Sequence, residues 1–138
     1  MRSSIDRHSA LIYTMVLMAA AEGQMTDAEL TTMGRLVRTL PVFKGFDPDR
    51  ILLIGEECAE LLRRDDGLDL AIELIAEALP ASLRETAYAL ACDIVAADGG
   101  RVEEAALRLL ELLRHRLNIE RLVAAAIERG AKARHRTV

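Results

Sequence analysis

Apolar residues recur at helical spacing along the whole chain, which predicts an all-α fold. Two stretches organise the pattern. Leu11–Gly23 (LIYTMVLMAAAEG) and Ala87–Gly99 (AYALACDIVAADG) each place a Tyr early, then Ala, Met, Cys, Val or Ile, then an Ala pair, a carboxylate and a Gly. Each is followed by further acids and an amphipathic helix. The first helix, from about Ile5 to Ala21, is apolar on nearly every side from Ala10 onward, the mark of a central helix. The expectation is a compact bundle of about seven helices in two pseudo-symmetric halves.

Local signals place the remaining elements. Gly23 can take the left-handed conformation that ends the first helix. Thr26 and Glu29 have the spacing of a capping box, opening a second helix that carries Leu30, Met33, Leu36, Val37 and Leu40 and stops before Pro41. Val42–Phe46 reads as a loop tucked under the domain. Asp47-Pro48 opens a third helix, with Phe46 and Ile51 placed as a hydrophobic staple; it runs to Arg64 and ends at Asp65-Asp66-Gly67. A short amphipathic helix spans Leu68–Leu79. Pro80 breaks the chain, and Ser82 with Glu85 reads as a second capping box opening the fifth helix, which ends at Asp98-Gly99-Gly100. The sixth spans about Arg101–Arg116. Asn118 is placed to cap a seventh, Ile119–Arg129, ended by Gly130. The connections are short, so residues 1–138 are read as a single domain, with a basic, frayed tail at about 131–138.

Composition narrows this further. Apolar residues make up 51% of the chain and aromatics only 3%, so the core is built from Leu, Ile, Val, Ala and Met, which suits close helix packing. The formal net charge of −4 gives no overall case for nucleic acid; the basic run Lys132–Arg136 is the local exception. Cys58 and Cys92 have no metal-ligand spacing and fall on apolar faces, so buried reduced thiols in a cytoplasmic protein are expected. The charged start Met1–Arg7 does not read as a signal peptide. The longest apolar run, around Tyr13–Ala21, is well short of the ~20 residues of a membrane span, so no transmembrane segment is expected.

The acids at the two turns carry the candidate chemistry. A carboxylate at a helix C-terminus is disfavoured by roughly 0.3–1 kcal/mol, yet Glu22 and Asp98 occupy equivalent places in both halves. Asp93 adds a carboxylate within the apolar body of the fifth helix. Asp27 and Glu29 follow the first turn, and Glu103 and Glu104 the second. Two readings stand. In one the acids are caps and surface charge. In the other, oxygen ligands from both turns converge on a hard divalent cation. The spacing is not that of an EF-hand. No histidine has ligand spacing, and His8, His115 and His135 read as solvated or helix-end residues. Ser82 lacks a nucleophile's surroundings. An enzyme working through paired carboxylates, without a metal or with a metal-activated water, is the weaker alternative, because no nucleophile or base accompanies the acids.

Three segments resemble the TerB-like tellurite-resistance family: MAAAEGQMTDAEL (Met18–Leu30), LPVFKGFDPDRI (Leu40–Ile51) and LPASLRETAYALACDIVAADG (Leu79–Gly99). The resemblance runs from about Ala10 to Leu117. It implies an all-α fold of two related halves. It also implies a non-enzymatic, cytoplasmic protein linked to tellurite resistance and chemical stress, acting through divalent-cation sensing and through partner proteins, some at the inner membrane face. A similar domain precedes a J-domain in a membrane-anchored co-chaperone. Carried over position by position, the metal-site residues are Glu22, where the family usually has Asp, then Glu29, Asp98 and Glu104. Glu104 stands beside Ala105, the position that corresponds to Glu29, and that departure weakens a symmetric two-turn site. Asp27, Asp93 and Glu103 complete the acidic face. A purely structural protein–protein adaptor, including a homodimer, is the alternative that needs no ion.

Overall fold

The computed structural model describes residues 4–21, 23–97 and 103–138. Among them the chain forms seven α-helices and no strand: α1 Arg7–Ala20, α2 Asp27–Thr39, α3 Ile51–Leu62, α4 Gly67–Ala78, α5 Ala81–Ala96, α6 Glu104–Arg116 and α7 Arg121–Arg134. The expected all-α bundle is therefore the observed architecture. No helix among the described residues is long and apolar enough to cross a membrane.

The core is organised by α1 and α5. Every residue of α1 from Ser9 to Ala19 is buried, and the helix packs on α5, α3 and α4. Its polar members are satisfied locally. Asp6 is the N-cap, its carboxylate accepting from the Ser9 amide at 2.7 Å, and the Thr14 hydroxyl donates to the Ala10 carbonyl at 2.8 Å. α5 buries Ala87, Tyr88 and the run Leu90–Ile94. α2 and α6 are both 13-residue helices, each next in order after a central helix. Their packing differs: α2 lies on α5, whereas α6 lies on α5 and α4.

Several boundaries follow chemistry other than that expected. The Asp47-Pro48 start forms a short 3-10 turn, Pro48–Arg50, before α3 begins at Ile51. The Ser82 capping box is not formed: extended Pro80 takes the N-cap place, and α5 starts at Ala81 without a side-chain cap. Arg84 turns back instead, its guanidinium donating to the Ala76 and Leu79 carbonyls and closing the end of α4. Asn118 caps the end of α6, not the start of α7. Its φ is +56°, and the bonds Asn118 N–H to His115 O and Ile119 N–H to Arg114 O form a Schellman motif. α7 passes through Gly130 and runs to Arg134, because Ala131 is buried and the residues beyond are anchored on α5. His8 is not solvated. Its ring packs on Phe43 and Phe46 and its Nε2 meets the Val42 carbonyl at 2.9 Å, tying the loop after α2 to the start of α1.

Glycine is needed at several turns, Gly23 and Gly67 among them. Gly23 has a φ of +111° after α1, as its position predicts. At Gly67 the reason is proximity: a Cβ there would lie 2.0 Å from the Leu61 carbonyl oxygen, so α3 and α4 meet as closely as they do only around a residue without a side chain.

Candidate functional site

Glu22 and Asp98, the two turn acids, lie outside the described residues. Glu29 is buried and its carboxylate is engaged: Oε1 accepts from the Thr26 amide at 2.8 Å while the Thr26 hydroxyl accepts from the Glu29 amide at 3.1 Å. The predicted capping box is thus formed in full. Glu104 is exposed and its carboxylate pairs with Arg108 one turn along α6 at 2.5 Å. Asp27 and Glu103 are exposed at the starts of α2 and α6. Among the described residues no three His, Cys, Asp or Glu side chains are grouped as a metal would require.

Asp93 is buried in the last turn of α5, and α7 supplies its partners. Arg134 donates to Oδ1 at 2.9 Å, and His135 Nε2 lies 3.3 Å from the same oxygen. The pair compensates a carboxylate that burial would otherwise penalise. It also fixes the C-terminal end of α7 across α5. A second contact fixes the middle of α7, where the buried Tyr88 hydroxyl donates to Glu128 at 2.6 Å. Burial, then this bond to a carboxylate, push the Tyr88 phenol well above its ordinary value.

α6 and α7 both pack on α5 rather than on each other. Between them opens a groove of ≈ 1020 Å³. α5 forms its floor through Tyr88, Cys92, Val95 and Ala96, joined by Ala131 of α7. α6 contributes Leu107, Leu110, Glu111 and Arg114 along one wall. α7 contributes Arg121, Glu128 and Lys132 along the other, with Arg136 just beyond its end. The floor is apolar and the rim carries four permanent cations against two carboxylates, in a chain whose net charge is −4. Cys92 is part of the floor as a neutral thiol, pushed up to about 12 by burial. A second cleft, ≈ 730 Å³, lies on the far side of the α7 terminus between Leu36, Thr86, Asp93 and Arg134, and His135 borders both.

No family model, no curated protein and no solved structure matches the chain. The site is therefore defined by its own geometry. Of the acids singled out in the sequence that lie among the described residues, Asp93 alone borders either cavity, and it does so as half of an ion pair. The groove itself is assembled from residues that sequence reasoning treated as core or solvated tail. One signal was present: Lys132 and Arg136 are four residues apart, and Leu107 and Leu110 share a face with Arg114 at i, i+3 and i+7. On α6 that face is buried at Leu110 and open at Leu107, and Arg136 lies just past the end of α7.

Proposed function

We propose that this chain is a non-catalytic protein-interaction module, of the kind that its resemblance to the TerB-like tellurite-resistance family implies. It works in the cytoplasm, in tellurite resistance or a related chemical stress. Its partner-binding surface is the groove between α5, α6 and α7. The observation that carries this reading is the convergence of three helix faces on one open, apolar-floored groove. Such a groove is the complement of an amphipathic helix. The acidic turns play a smaller part in this reading, because Glu29, Glu104 and Asp93 are already held by partners within the chain.

Amide hydrogen exchange on the full chain tests it, with and without a synthetic amphipathic helix bearing a leucine stripe. Added protection on the groove-lining turns of α5, α6 and α7, unchanged by chelator and abolished by Ala96→Leu on the groove floor, is the expected result. Protection that appears at the α1–α2 and α5–α6 turns only when a divalent cation is present would overturn it.

A further inference from the structure

We infer that the groove selects an acidic amphipathic helix of a partner protein, with the partner's carboxylates meeting the cations on its rim. This rests on the reading of the groove as a protein-binding surface and adds the partner's chemistry. The lining has the register of a surface that receives a helix. On α6, Leu107, Leu110, Glu111 and Arg114 fall at i, i+3, i+4 and i+7, the stripe by which one helix meets another. On α5, Tyr88, Cys92, Val95 and Ala96 fall at i, i+4, i+7 and i+8. The small side chains of Cys92, Ala96 and Ala131 leave room for a helix backbone to come close. The walls are not drawn together: Leu107 remains 53% exposed at the rim although it faces apolar neighbours.

Charge along the rim sets the sign of that helix. Arg121 is the first residue of α7 and Lys132 lies in its last turn, so the two cations are about 16 Å apart along the helix at 1.5 Å per residue. A single-chain amphiphile such as a fatty carboxylate carries one charged end and satisfies one of these positions, leaving the other facing apolar chain. A helix of three turns with acids on both flanks of its apolar stripe satisfies both, and Arg114 on the opposite wall besides. The rim opposes the sign of the chain as a whole, so the positive field is local to the groove. It favours acidic partners and disfavours basic ones.

The test is a titration of the full chain into three fluorescein-labelled peptides of about 14 residues, long enough to span the groove. The peptides share one leucine stripe and carry Glu, Gln or Lys on its flanks. The Glu peptide is expected to bind about tenfold more tightly than the Gln peptide, as a few exposed ion pairs would give. The Lys peptide binds weakest, and rising salt narrows the spread. The double variant Arg121→Glu, Lys132→Glu, both at exposed positions, is expected to reverse the order; its unfolding midpoint checks that it is folded. Equal binding of all three peptides would overturn the acidic preference and leave the groove reading standing. Binding of none, with palmitate binding in their place, would overturn both and make the groove a lipid site.

Discussion

Asp6 shows how a single side chain sets the behaviour of a helix start. Its carboxyl is held below the usual carboxylate range, first by the hydrogen bond from the Ser9 backbone, then by the Ser9 side chain; burial pulls the other way, and Arg50 adds a smaller downward pull. A carboxyl whose folded pKa is depressed stabilises the fold above its unfolded value, near 3.9, and loses that contribution as pH falls through the lower folded one. Asp6→Asn keeps the cap but not the charge. Its unfolding free energy, followed by denaturant titration from neutral pH down to about pH 2, is expected to show a shallower acid limb than the parent. The two thiols give a complementary case. Burial pushes both Cys58 and Cys92 up to about 12, so neither is a thiolate near neutrality. Iodoacetamide at mildly alkaline pH is expected to leave both unmodified in the folded chain and to alkylate both once it is unfolded. Rapid labelling of Cys92 in the folded chain would mean that the groove floor opens. The burial of these cysteines was legible because each sits on an apolar helix face. The position of His8 was not: its partner is the Val42 carbonyl beyond the end of α2, and no local pattern announces that pairing.

At the scale of elements, the join between α5 and α7 is the one on which the groove depends. Asp93 and Arg134 meet across it at 2.9 Å, but the Arg134 side chain is 58% exposed, so solvent screens the pair. A double-mutant cycle of Asp93→Ala and Arg134→Ala, read by chemical denaturation, is expected to give a coupling of about 1 kcal/mol. Additive effects would mean that α7 docks through Tyr88, Ala124 and Ala131 alone. A sharper case is the α3–α4 turn. Gly67→Ala drives a methyl into the Leu61 carbonyl, and backbone at that point has to move, so a loss of about 1–3 kcal/mol is expected in the same assay. The sequence marks Gly67 as a turn residue through its Asp-Asp-Gly setting. It does not mark the approach of two helices, which depends on where α3 ends and α4 turns. The same division holds elsewhere. Helices were visible as periodicity, and the Thr26–Glu29 box was read correctly because its residues satisfy one another. Ser82, Asn118 and Gly130 were misread because each local signal was overridden by a tertiary partner or a neighbouring backbone choice: extended Pro80, the Schellman end of α6, and the Asp93 anchor of α7.

The whole molecule offers two candidate surfaces, the cationic groove and the acidic segments of sequence between α1 and α2 and between α5 and α6. The repeat that made the turns conspicuous in the sequence is a repeat of helix order, and among the described residues no three acids are grouped as a metal would require. Glu29 faces its own helix start, and Glu104 leans along α6 to Arg108. If the groove is the working surface, thermal unfolding of chelator-treated protein is expected to be indifferent to Ca²⁺, Mg²⁺, Mn²⁺ and Zn²⁺, and equally so in Glu22→Gln and Asp98→Asn variants. The opposite case has a definite size. An ion bound only by the folded state, at a hundredfold excess over Kd, adds about 2.7 kcal/mol, which for a chain of this length raises Tm by on the order of 10 °C. A saturable rise of that kind for one cation, lost in Asp98→Asn, would place the chemistry at the turns and make the groove secondary. A small, non-saturating rise shared by all four ions and kept in both variants would reflect only screening of a chain whose acids outnumber its basic residues. The groove would then remain the surface to probe, with its preference for acidic helices as the property that assigns a partner.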